Sequence, residues 1–337
     1  MKEDSLEVIG ETVDRLLTLD VSGRGVIYKL YEAARANHKS PLCLSAAKKV
    51  SKAVKPNDVV FIATGLIIHP FHDIGETDGP IGGAGLARAL RIALGAKTVF
   101  VTDKALFEMI SKTARGGDST IVSPETLRNL QIPVSSVVSF PTVEEEAGRE
   151  AMRLINEFNP KAIVAIERRG VSKNGVYHAW SGYDMAPYEA RLGRLFEECR
   201  KAGILTIGIG DGGNEIGMGN IYDTVRRVVP HGDSCKCPTK CGIADSTIVD
   251  VPVIVSVSNW GAYGIEACLA VITGKPDALH TGEDELRMIR ECVDAGGIDG
   301  TTMVPRPSVD ALPAKTHAMI VDMLGEIIRG RFEGLQP

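Results

Sequence analysis

Residues 204–220 read ILTIGIGDGGNEIGMGN. The opening four residues are an apolar run of the length expected for a buried strand. A helical spacing of apolar residues over 188–202 precedes it, and a glycine-rich turn follows. Helix, continuous apolar strand and polar turn in succession are the unit of a parallel sheet covered on both faces. The same unit recurs on either side. Strands are expected at 59–63, 98–101, 134–140, 162–166 and 251–257. Helices are expected at 84–94, 144–158, 260–272, 283–295 and 315–329. Before the first strand the spacing is helical only, over 6–19, 26–36 and 42–54. The expected fold is therefore α/β: a mostly parallel sheet sandwiched by helices in three layers, with an N-terminal helical segment. The expected division is residues 1–55 for that segment, packed on the core, and 56–330 for the α/β catalytic unit, the two forming one continuous body.

In such sheets ligands gather beyond the carboxyl ends of the strands. Thr64-Gly65, Asp103, Glu167-Arg168, Asp211 and Ser258-Asn259 all fall there. In the turn Gly208–Asn220, six of thirteen residues are glycine, and Asp211, Asn214 and Glu215 supply oxygen donors of the kind hard cations prefer. Gly208, Gly210 and Gly213 also satisfy G-x-G-x-x-G. A dinucleotide site, however, needs an uninterrupted helix afterwards and no acids facing the pyrophosphate. Gly217 and Gly219 break that helix, and Asp211 and Glu215 would repel phosphate. A second acidic turn reads Glu76-Thr77-Asp78-Gly79-Pro80. Glu76 and Asp78 are two apart, so in an extended segment they share a face. Gly82, Gly83 and Gly85 lead into a helix whose N–H groups are expected to hold a substrate carboxylate or phosphate. Glu167 is a candidate metal ligand or general base, and the planar guanidinium of Arg168 suits a carboxylate clamp. Asp299-Gly300 reads as a turn. His231, Cys235, Cys237 and Cys241 fall within eleven residues and are a candidate structural zinc site, against the alternative of free loop thiols.

Composition narrows the function classes. The chain has 337 residues, 44% hydrophobic and 24% charged, as expected of a globular protein. A net charge of −5 and 5% aromatic residues offer neither a basic footprint nor stacking platforms for nucleic acid. No apolar run approaches the roughly 20 residues that span a bilayer. The acidic N-terminus, MKEDSLEVIGE, reads neither as a signal nor as a transit peptide, so a cytoplasmic location is expected. Seven cysteines without a secretory signal are expected to be reduced. The expected partners are a small anionic substrate, such as an amino acid, and further copies of the same chain, with neither nucleic acid nor membrane.

The motifs taken together resemble the D-glutamate cyclase family, in its C-terminal cyclase-like domain and stand-alone prokaryotic relatives. The resemblance rests on Gly23-Arg24-Gly25, Thr64-Gly65, Glu76 to Pro80, Val101-Thr102-Asp103, Glu167-Arg168 with Gly170, and Asn174 to Tyr177. It continues through Gly208 to Gly219, Val257-Ser258-Asn259-Trp260-Gly261 and Asp299-Gly300, in order over nearly the whole chain. Two places depart from the pattern. Ala311 follows Asp310 where the family has glycine, and His178-Ala179-Trp180-Ser181 replaces a loop of the Asn-Met-Arg-Gly kind. The resemblance implies an enzyme using Mn²⁺ or Mg²⁺ that converts D-glutamate to 5-oxo-D-proline and water. On that reading Glu76, Asp78, Asp211 and Glu215 surround the metal with Asn214 in support. Glu167 is the base, Arg168 clamps the α-carboxylate, and Gly82, Gly83 and Asn259 contact substrate. A metal-dependent phosphoester hydrolase and a non-catalytic metal- and anion-binding protein are the alternatives that the acid clusters also suit.

Overall fold

A computed structural model describes residues 3–332. Six parallel strands form the central sheet: β1 (Val59–Thr64), β2 (Lys97–Thr102), β3 (Ser135–Ser139), β4 (Ala162–Ile166), β5 (Leu205–Gly210) and β6 (Val251–Ile254), in the spatial order β3-β2-β1-β4-β5-β6. The sequence order reverses between β1 and β4. Chain leaving β1 runs to one side and chain leaving β4 to the other, which opens a crevice at the carboxyl end of the sheet.

Side-chain alternation along β1 builds two separate cores. Val60 and Ile62 face a layer made by the N-terminal helices α1 (Glu3–Leu17), α2 (Ile27–Arg35) and α3 (Leu42–Ala53), with α4 (Pro80–Leu94) and α5 (Phe107–Gly116). Phe61 and Ala63 face α6 (Pro124–Asn129), α7 (Glu144–Phe158) and α8 (Leu192–Lys201). The first layer also holds α9 (Tyr222–Val228), α10 (Ser258–Thr273), α11 (Gly282–Asp294) and α12 (Ala314–Phe332). The result is the three-layer arrangement expected from the sequence. A short hairpin, β7 (Ser308–Val309) with β8 (Leu312–Pro313), precedes α12.

Residues of the N-terminal helices, including Ile9, Val13, Leu17, Leu42 and Leu44, lie in the same apolar cluster as Trp260, Tyr263 and Leu269 of α10. The segment thus packs on the sheet-bearing body rather than standing apart.

Two helices begin well away from their expected starts, and three more have no counterpart among the expected ones. Helix α4 starts at Pro80 instead of 84, taking in Gly82 and Gly83. Glycine weakens an isolated helix, but α4 and α10 cross so tightly that a Cβ at Gly82 would lie 2.9 Å from the Cα of Asn259. Packing therefore overrides propensity. Helix α8 starts at Leu192, since Glu189 and Ala190 are held by a buried ion network described below. Helices α5, α6 and α9, with 10, 6 and 7 residues, were too short or too polar for periodicity to reveal.

Candidate functional site

The turn after β5 folds back on its own strand. A Cβ at Gly208 would stand 2.0 Å from the carbonyl oxygen of Ile216, so only glycine allows the return. Inside the turn, the Glu215 carboxylate accepts N–H groups from Gly212 and Gly213, both at 2.6 Å, and from Asp211 at 3.3 Å. This arrangement turns the Asp211 side chain toward the crevice.

From the β1 side, Asp78 arrives through a reciprocal clasp between two helix starts. Its carboxylate accepts the N–H groups of Ser258 (2.9 Å) and Asn259 (2.8 Å) at the start of α10. Asn259 Oδ1 in turn accepts Gly79 N–H (2.8 Å) and Gly82 N–H (2.7 Å) at the start of α4. Each helix start, the positive end of its dipole, is capped by the other's turn. From β4, Glu167 follows the last strand residue with φ 42°, an uncommon left-handed conformation for a glutamate. Its Oε2 accepts the Ser258 hydroxyl at 2.6 Å.

These routes converge. Asp78, Asp211 and Asp310 each offer a carboxylate oxygen, all within 4.8 Å of one another, and so do Glu167, Asp211 and Glu215. Asp211 belongs to both groups. Glu76 stands close enough for its charge to act on the same carboxyls, and its buried Oε1 has no hydrogen-bond partner. Asp310 was not assigned a role from sequence. It sits in a turn that Asp299 ties down, accepting N–H groups from Thr301, Thr302 and Ala311, each at 2.9 Å. Asp310 and Ala311 have φ of 51° and 63°, which explains why glycine is favoured at the second position.

The electrostatics are those of crowded acids. Burial, then Asp211, pushes the Asp78 carboxyl up to about 7, although three backbone N–H groups pull it down. Burial and Asp211 likewise take Glu215 to about 7. Burial and neighbouring carboxylates hold Glu76, Glu167 and Asp310 well above the usual carboxylate range. An acid whose folded pKa is raised stabilises the fold at low pH, and that contribution is lost as pH climbs through the folded value. The buried imidazoles of His178 and His317 act in the opposite sense, but near and below their ordinary value of 6.5. As pH climbs from about 5 to 7, Asp78 and Glu215 should therefore cost the metal-free protein stability, by up to about 1.4 kcal/mol per pH unit for each carboxylate, partly offset by the two imidazoles below 6.5. Saturating Mn²⁺ should flatten that slope. Thermal melts across this window check the point, and a flat melting temperature in chelator would contradict it.

Several expected residues take other duties. Arg168 does not reach the crevice. Its guanidinium is fully buried and paired with Asp103 and with Glu189 (3.0 Å), and it donates to the carbonyls of Gly65 and Ala190. Arg24, from the N-terminal segment, does enter, with Nη2 2.6 Å from Asp211 Oδ2 and 2.6 Å from the carbonyl of Ser256. Gly23-Arg24-Gly25 was the available signal, but nothing local says which strand an isolated arginine will reach. The expected anion cradle at the start of α4 is closed: Gly82 N–H goes to Asn259 and Gly83 N–H to the carbonyl of Gly79. Asn259 is itself occupied, with Nδ2 on the carbonyl of Thr77 at 3.1 Å. Asn214 Nδ2 donates to the carbonyl of His178 at 2.9 Å. The three loop cysteines gather around His178, not His231, whose ring packs beside Gly182.

The family profile described as "D-glutamate cyclase-like, C-terminal" matches residues 13–325. The chain belongs to this family. It is also 30% identical, over 238 residues, to the human protein named "D-glutamate cyclase, mitochondrial". That match covers 68% of this chain and 36% of the human one, so the chain spans about a third of its relative's length. Among the described residues no helix is long and apolar enough to cross a membrane.

Proposed function

We propose that this family member is a divalent-metal-dependent lyase that closes D-glutamate to 5-oxo-D-proline with release of water. The observation that carries the reading is the convergence of Asp78, Asp211 and Asp310 with Glu167 and Glu215 around shared Asp211. The donor set is all oxygen, which fits Mn²⁺ or Mg²⁺. The unpartnered buried oxygen of Glu76 is a further acceptor awaiting a cation. Asp78, Asp211 and Asp310 would hold the metal, with Glu215 and Glu76 beside them. When bound, it supplies Lewis-acid polarisation of a carboxylate oxygen and neutralises the crowded acids.

In the reaction a bond forms between the α-nitrogen and the γ-carboxylate carbon, and one C–O bond of that carboxylate breaks. The departing oxygen leaves as water with two protons shed by the ammonium. Glu167 would take a proton from the amine once a bound cation neutralises the neighbouring carboxylates that, with burial, hold its own carboxyl up. Ser258 holds its Oε2 and leaves the other oxygen for the substrate. Arg24 is the clamp for the α-carboxylate, exchanging Asp211 for substrate. Holding the two ends of the substrate together would lower the barrier by proximity.

The test is to incubate Mn²⁺-loaded protein with D-glutamate, L-glutamate and 4-nitrophenyl phosphate. 5-Oxoproline from D-glutamate supports the lyase. Phosphate release alone would replace it with a phosphoester hydrolase, and metal binding without turnover with a non-catalytic binder. Arg24→Gln should raise KM about tenfold or more, in line with about 1.5–3 kcal/mol for a charge-assisted hydrogen bond. An unchanged KM would remove Arg24 from substrate recognition.

A further inference from the structure

Two long irregular stretches border the crevice: residues 167–191 between β4 and α8, and 229–250 between α9 and β6. Such stretches need something to hold them. They are joined by backbone bonds from Lys236 N–H to Gly182 O and from Ser246 N–H to Val171 O, both 2.8 Å. Between them lies the second group of metal-ligating side chains. His178, Cys235, Cys237 and Cys241 each bring one ligand atom within 4.8 Å of all the others. His178 Nε2 is 3.3 Å from Cys237 Sγ and 3.9 Å from Cys241 Sγ, and Cys235 Sγ is 2.8 Å from Cys237 Sγ.

The sulfurs are free thiols, farther apart than the roughly 2.05 Å of a disulfide. Around one zinc ion, with Zn–S near 2.3 Å and Zn–N near 2.0 Å, neighbouring donors stand roughly 3.5–3.8 Å apart. The observed spacings meet that with shifts of about 1 Å or less. His178 is 1% exposed, and its ring nitrogens have no hydrogen-bond partner among the described residues apart from the sulfurs. Thr239 Oγ1 donates to Cys241 Sγ at 3.2 Å, and Ser172 Oγ lies 3.6 Å from the same sulfur, both suited to a thiolate.

We infer that Cys235, Cys237, Cys241 and His178 bind a structural zinc ion that staples the two stretches together. Three sulfurs and one imidazole are a soft donor set for tetrahedral zinc, unlike the hard oxygens of the crevice. Four protein ligands leave no open position, so the ion is structural rather than catalytic. Its effect reaches the crevice through the turn that carries Asp211 and Glu215: the carbonyl of His178 accepts the Asn214 amide, and Asp245 N–H donates to the carbonyl of Gly213 at 3.2 Å. The staple thereby braces the back of the carboxylate turn. This inference stands whether or not the chain acts on D-glutamate.

Elemental analysis and zinc X-ray absorption on the full chain, purified under reducing conditions, test it. The expected result is one zinc per chain with a shell of three sulfurs near 2.3 Å and one nitrogen near 2.0 Å. Cobalt exchange should give the visible bands of a tetrahedral thiolate site. Cys241→Ser should lose or weaken the zinc, and Cys292→Ser, a buried cysteine far from the group in sequence, should retain it. If Cys241→Ser is insoluble, the wild-type absorption spectrum still decides. Protein that stays zinc-free in excess Zn²⁺, a shell of oxygen and nitrogen only, or a Cys235–Cys237 disulfide in the reduced preparation would each overturn the assignment. Mn²⁺-dependent turnover is read separately, so failure of the zinc site and failure of the lyase reading are distinguishable.

Discussion

Asp211→Asn should lower Mn²⁺-dependent turnover of D-glutamate by about 10³-fold or more, equivalent to about 4 kcal/mol of lost transition-state stabilisation. Asp211 is the residue common to both carboxylate groups, so its loss leaves neither group complete. The same substitution should not unfold the metal-free protein. The Asp211 charge helps to raise the Asp78, Glu215 and Asp310 carboxyls, so its removal relieves repulsion and offsets the lost pairing with Arg24. Without metal, the variant should melt at or above the wild-type temperature, with a shallower fall between about pH 5 and 7. Added Mn²⁺ should stabilise wild type by about 2.7 kcal/mol at a hundred times Kd and the variant hardly at all. Thermal melts with and without Mn²⁺, beside a 5-oxoproline assay, read all of this together. A variant that keeps both the Mn²⁺ shift and turnover would show that the reacting centre lies elsewhere.

Much of this centre could be read from the sequence because its parts are strand ends and turns. The acids at 76, 78, 167, 211 and 215 each follow a strand or its turn, and a parallel sheet brings strand ends to one edge. Less was legible where long-range packing decides. Asp310 lies in a turn whose position depends on Asp299 and on positive φ at two successive residues, features without a local hydrophobic pattern. Arg24 meets Asp211 across 187 residues. Gly82 and Gly83 read as the free end of a phosphate-binding helix, but of the two only the Gly82 N–H is an orphan within the helix, since Gly83 N–H bonds the N-cap carbonyl of Gly79. The side chain that satisfies Gly82, Asn259, arrives from a helix 177 residues away. His231 lies nearer the cysteines in sequence than His178. The chain doubles back between β4 and α8, and so delivers the latter.

Sequence reading casts Arg168 as a clamp for the substrate carboxylate, whereas its guanidinium has buried partners within the protein. A clamp arginine would be dispensable for folding, with its loss appearing in KM. The structure places the guanidinium instead between Asp103 and Glu189, with Arg169 on the second oxygen of Glu189 at 2.6 Å. All four side chains lie under the sheet edge at 4% exposure or less. The network ties β4 to the residue after β2 and to the segment before α8. Removing one partner of such a set leaves charges buried without compensation, which costs about 3–5 kcal/mol. Arg168→Ala should therefore lower the melting temperature by about 5 °C or more in a chain of this size. Arg168→Lys should also destabilise, since one ammonium cannot meet Asp103, Glu189 and two carbonyls in the same plane. Residual folded enzyme should bind D-glutamate with nearly wild-type KM, in contrast to Arg24→Gln. Melting curves and KM for the two arginine variants separate the roles, and a stable Arg168→Ala with a raised KM would return the clamp to Arg168.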